Sequence, residues 1–135
     1  MNILITLPKD LIEKIISGEK TYEMRKNQPK HWKIGVDGFF VVEKGTDKIR
    51  CWCRVDGVWA TNIDNYIMDW FENRLCVSKE YIEKYAGGQQ VYLWKIGKVV
   101  TLQNFKRDTL ICDKNPQQFA YCPFSNGEVF GGWLF

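Results

Sequence analysis

The chain has 135 residues, 45% of them apolar and 15% aromatic, enough to bury a core as one domain over residues 1–135 and too apolar for disorder. Its formal charge of +3 excludes a uniformly basic nucleic-acid binder, so any electrostatic footprint has to be local. No apolar run approaches the length of a membrane span, and "MNILITLP" lacks the basic n-region of a secretory signal, which predicts a cytoplasmic protein with reduced thiols.

In chain order, "ILITL" reads as a short buried strand over residues 3–7. "PKDLIEKIISG" follows as a helix, with Pro8 suited to the first turn and Leu11, Ile12, Ile15 and Ile16 on one face. Gly18 closes it in the left-handed conformation. The segment 20–26 then reads as extended, and residues 27–37 as a polar loop. "FFVVEKG" and "KIRCWCRV" predict strands over 38–44 and 48–56, joined by a hairpin at "GTD". "TNID" resembles a capping box, with Asp64 at the third helical position. Ile63, Tyr66, Ile67, Trp70 and Phe71 then recur at helical spacing and predict one amphipathic helix whose aromatic stripe is core. Ser78 is placed to cap a second short helix ending at Gly87-Gly88, and a long strand follows over 90–100. The order of elements argues against a doubly wound parallel sheet and for an α+β fold, a small β-barrel with flanking helices.

Five cysteines raise the question of zinc. Cys51 and Cys53 form a C-x-C pair, while Cys76, Cys112, Cys122 and His31 are scattered, and two C-x-x-C pairs are absent. Alternation puts Cys51 and Cys53 on one strand face with Ile49 and Val55, so core thiols are the reading and no metal or cofactor is predicted. His31 reads as a solvated loop residue, and neither a phosphate loop nor a serine triad is present.

Two clusters carry candidate chemistry. The first is Gly18, Lys20, Glu23 and Arg25, spaced G-x-K-x-x-E-x-R, with Thr21 beside them. An arginine fork, a lysine point charge and an orienting carboxylate in one cleft would suit phosphate, whereas a structural Glu–Arg pair with Lys20 in solvent would do no chemistry. The second is "RCWCR". Arg50, Trp52 and Arg54 alternate on one face, suited either to stacking bases and meeting phosphates or to an ordinary sheet face.

The first pattern, between a helix and the next strand, resembles the ASCH domain of the PUA-like superfamily. The late segment "NPQQFAYCP" is similar to one found in many of its bacterial and phage members. The resemblance implies a PUA-like barrel with a cleft at the motif, and RNA or a nucleotide as ligand. It also implies an alternative, a small hydrolase. Some members are amidohydrolases on acetylated cytidine, in which the motif's lysine works with a hydroxyl residue where Glu23 stands here, and others resemble ribonucleases. In that reading Lys20 and Glu23 are the catalytic pair. A third reading is a protein-interaction module that docks through the aromatic C-terminal tail onto a partner of unknown identity.

Overall fold

The computed structural model describes residues 1–106 and 120–122, the side chains of Asn104 and of 120–122 excepted. Strand β1 (Asn2–Leu7) leads into helix α1 (Lys9–Ser17), then β2 (Tyr22–Arg25), β3 (Gly38–Glu43) and β4 (Lys48–Thr61). After a 3-10 turn at Asn65–Ile67 come α2 (Met68–Leu75), α3 (Lys79–Ala86), β5 (Val91–Lys106) and β6 (Ala120–Cys122). The strands form one six-stranded sheet in the order β2-β5-β4-β3-β1-β6. Among the described strands only the β1–β3 pair is parallel, which makes a mixed sheet curved into a half-barrel rather than a doubly wound one.

Local chemistry explains most boundaries. Pro8, extended at φ −63°, opens α1, and Gly18 at φ 88° ends it by donating its N–H to the Ile15 carbonyl. Ile12 and Ile15 bury against Ile3, Ile5, Phe39, Cys51, Cys53 and Trp94, which form the main core between helix and sheet. Leu4, Phe40, Val42, Trp52, Leu102 and Phe105 form a second core. A third lies where α2 and α3 cover β2 and the start of β5, around Met24, Phe71, Leu75, Ile82 and Leu93.

Two expectations change. First, β4 runs 14 residues and β5 runs 16, well beyond 48–56 and 90–100. "DGVWAT" reads locally as a strand end, but pairing with β5 continues through it, with register shifts between Ile49 and Cys51 and again on either side of Val55. Such bulges let long strands coil without breaking the ladder. They also break the parity used above: Cys51, Cys53 and Val55 lie in the main core, and Ile49 in the second.

Second, the helix after "TNID" starts late. Asp64 is itself a cap, accepting the Tyr66 N–H at 2.9 Å, and the 3-10 turn that follows carries Tyr66 (97% exposed) and Ile67 out of the core. Of the predicted stripe, Phe71 is buried and Trp70 half-buried. Lys20 is 2% exposed, so the alternative that left it in solvent falls. Ser78 does cap α3, accepting the Tyr81 N–H, and Gly87 ends it in the left-handed conformation. Of "NPQQFAYCP" only the backbone of 120–122 is described, as β6, and the aromatic tail and the Cys112 and Cys122 side chains lie outside the described residues.

Candidate functional site

The turn after α1 sets the site. With Gly18 left-handed, the chain reverses so that the Lys20 N–H reaches the Lys14 carbonyl at 2.9 Å. Thr21 then bridges two elements: its N–H donates to the Arg74 carbonyl and its own carbonyl accepts from Ile96. This fixes Lys20 just outside strand parity, and the three charged residues of the motif converge.

Lys20 Nζ donates to the Leu75 carbonyl at 2.8 Å, at the C-terminal end of α2, and lies 3.3 Å from Glu23 Oε1. Glu23 Oε2 accepts from Arg25 Nε at 3.2 Å and from a terminal guanidinium nitrogen at 3.1 Å. Its Oε1 also accepts the Met24 N–H, so the carboxylate takes up a backbone donor of the β2 segment. Burial pushes the Glu23 carboxyl upward, but Lys20 and Arg25 more than reverse this and hold it below the usual carboxylate value. Glu23 is therefore an ionised bridge between two cations. An ion pair this buried is worth little as a stabiliser, and removing one partner leaves the others uncompensated.

The three residues line a cleft of about 620 Å³, within the range of small-ligand sites. Leu7 and Leu11 give it apolar walls, Lys44 adds a further cation, and Cys76 and Ser78 lie at the junction of α2 and α3. Helix α3 contributes Tyr81 and Tyr85, whose rings stack at 6.1 Å and 17°, with Lys26 Nζ 5.0 Å from the Tyr85 ring centre. The Tyr85 hydroxyl is buried, and that burial pushes its pKa up. The charges lining the cleft are Lys20, Arg25 and Lys44 against Glu23 and Asp10, a net +1.

Thr21 is exposed and does not line the cleft. Arg50, Trp52 and Arg54 lie elsewhere, on β4. Trp52, read above as a possible stacking surface, is 3% exposed, inside the second core, and its indole N–H donates to Asn2 Oδ1 at 3.2 Å. No ring face is left to stack on. Arg50 is paired with Glu43, and Arg54 with Asp56 at 2.7 Å. The alternation of "RCWCR" is real, but its apolar member is core on the second side of a sheet that buries both faces. The core-thiol reading holds for Cys51 and Cys53: both are buried, and burial pushes the Cys53 thiol up. Among the described residues no group of three His, Cys, Asp or Glu side chains could hold a metal. No described helix is long and apolar enough to cross a membrane.

Sequence reasoning missed Lys44, Tyr81 and Tyr85. The two tyrosines are one helical turn apart, a visible signal, but only tertiary contact brings α3 against β2.

Neither a known protein-family profile nor any curated protein sequence matches the chain. Solved structures do. A crystal structure of the ASCH protein from Zymomonas mobilis matches at a TM-score of 0.72 and 14% identity, over 95% of this chain and 90% of that one. Two single-residue variants of the same protein match as well. A serine-to-alanine variant gives a TM-score of 0.75 over 95% and 91%, and a tyrosine-to-phenylalanine variant 0.67 over 95% and 93%, each at 14% identity. The chain therefore has the fold of an ASCH domain, of PUA-like architecture.

Proposed function

We propose that the cleft binds the phosphate-bearing part of a nucleotide or of a short stretch of RNA. The observation that carries this is the buried Lys20–Glu23–Arg25 cluster at the wall of a nucleotide-sized, net-positive cleft whose other wall carries two tyrosine rings. Lys20 spends two of its three donor directions on Leu75 and Glu23, which leaves one for a ligand oxygen. Glu23 fixes the plane of the Arg25 guanidinium, so that cation is oriented before a ligand arrives. Tyr81 offers the half-exposed ring against which a base can lie.

Calorimetric titration with nucleoside monophosphates and short RNAs tests the reading. Arg25→Ala weakens binding by about 1–3 kcal/mol, whereas Arg54→Ala, outside the cleft, leaves it unchanged. Equal affinities for wild type and Arg25→Ala would remove the cleft from consideration.

The hydrolase reading has one observation in its favour: an ammonium and a carboxylate 3.3 Å apart in the same cleft. Against it, the carboxylate is locked between two cations, and Glu23 stands where the amidohydrolases that the motif resembles have a hydroxyl residue. A purified-protein assay on acetylated cytidine is expected to show little or no turnover. Robust turnover abolished by Lys20→Ala would reverse the preference.

A further inference from the structure

Across the edge strand β2 from Glu23, on its other face, lies a second aromatic cluster. Tyr22 of β2, Trp59 of β4 and Trp70 of α2 form a row, with ring centres 6.1 Å apart between Tyr22 and Trp59 and 5.2 Å between Tyr22 and Trp70. The Arg74 guanidinium sits 4.5 Å over the Trp70 ring. Strand register places Lys95 directly between Tyr22 and Gly57, on the same face, and Lys95 is exposed. The row touches the cleft's own framework: the Arg74 carbonyl holds the Thr21 N–H, and the next carbonyl, that of Leu75, holds Lys20 Nζ.

Trp59 is the residue that core formation does not explain. It is 49% exposed, although an indole is the side chain that gains most from burial. Tyr22 and Trp70 pack against the third core, and Trp59 is not among the residues that do. Its position is nonetheless built. The ring lies over Gly57, where an added Cβ would fall 2.5 Å from its Cη2 atom, so a glycine is what lets the indole rest against the strand. The nearby carboxylate, Asp56, is engaged by Arg54. What faces solvent is thus a supported ring flanked by Tyr22 and Trp70, with cations at Lys95 and Arg74.

We infer that this surface stacks unpaired bases of a single-stranded RNA whose neighbouring phosphate-bearing nucleotide occupies the cleft. Rings with interspersed cations fit a flexible polyanion with π-faces better than they fit an apolar helix, which offers no anion to Arg74 and none to Lys95 beyond the Asp56 carboxylate it already shares with Arg54. The inference rests on the nucleotide reading of the cleft for its class of ligand, but it is carried by different residues.

Fluorescence anisotropy with labelled single-stranded RNAs of one and eight nucleotides separates the two. Trp59→Ala is expected to weaken octamer binding about tenfold with little change in salt dependence, and Trp59→Phe to restore most of it. Lys95→Ala is expected to weaken octamer binding and to make the log–log salt slope shallower by roughly 0.7. Neither variant changes mononucleotide affinity, and unchanged thermal melting shows that both fold. Octamer affinity equal in wild type and Trp59→Ala, or no octamer binding by the wild type, overturns the inference. If Arg25→Ala leaves mononucleotide binding intact while Trp59→Ala still weakens the octamer, the cleft reading fails and the stacking surface stands.

Discussion

At Glu23, burial favours the neutral acid while Lys20 and Arg25 favour the carboxylate, and the cations prevail. A folded-state pKa below the ordinary 4.5 means that the native protein holds this proton less tightly than the unfolded chain does. The corresponding stability is fully present above about pH 4.5 and is lost as pH falls through the lower folded value. Glu23→Gln, which has no such proton, leaves two cations uncompensated and should cost roughly 3–5 kcal/mol at neutral pH. Urea unfolding from pH 7 to pH 3 should show the gap between wild type and Glu23→Gln narrowing in acid; a constant gap would contradict the ionised bridge. Trp52 offers a second test at this scale. If its role is core and its link to Asn2, Trp52→Phe should cost about 1 kcal/mol, for the lost indole hydrogen bond, and leave nucleotide affinity untouched.

Among the elements, two glycines separate turn chemistry from close approach. Gly18 is left-handed with open space where a side chain would stand, so Gly18→Ala should cost only the strain of that conformation, roughly 1 kcal/mol. Gly38 begins β3 where the hairpin partner presses in: an added Cβ would lie 1.8 Å from the Cys53 carbonyl oxygen. Gly38→Ala should therefore lower the melting temperature far more than Gly18→Ala, by an amount equivalent to more than about 3 kcal/mol. Equal shifts would mean that β3 and β4 do not meet as closely as described. The Gly18 turn was legible in the sequence because a glycine after an apolar helical run has one common use. Ser78 and the "GTD" hairpin were legible for the same reason: each is settled by residues within a few positions. The length of β4 was not legible, since "DG" reads as a turn until β5 is present to pair with it. The late start of α2 was hidden too, because Asp64 serves a capping box or a 3-10 cap with the same side chain.

In the whole molecule, the charged cluster was half legible. Its residues were found by spacing and were expected in one cleft, but spacing alone left a solvated Lys20 open as the alternative, and it is the Leu75 carbonyl, 55 positions away, that explains the burial of Lys20. Tyr81 and Tyr85 lay beyond local reasoning for the same cause, and "RCWCR" misled because alternation reveals two faces without revealing that both are covered. In the proposed function, ligand enters at the junction of β2, α2 and α3 rather than on the β4 face. Amide chemical-shift mapping during titration of the isotope-labelled protein with a nucleoside monophosphate tests it most directly. The largest shifts are expected within residues 20–25 and 75–85, saturating together, while residues 50–54 stay still. Shifts concentrated at 50–54, or none at saturating nucleotide, would contradict it.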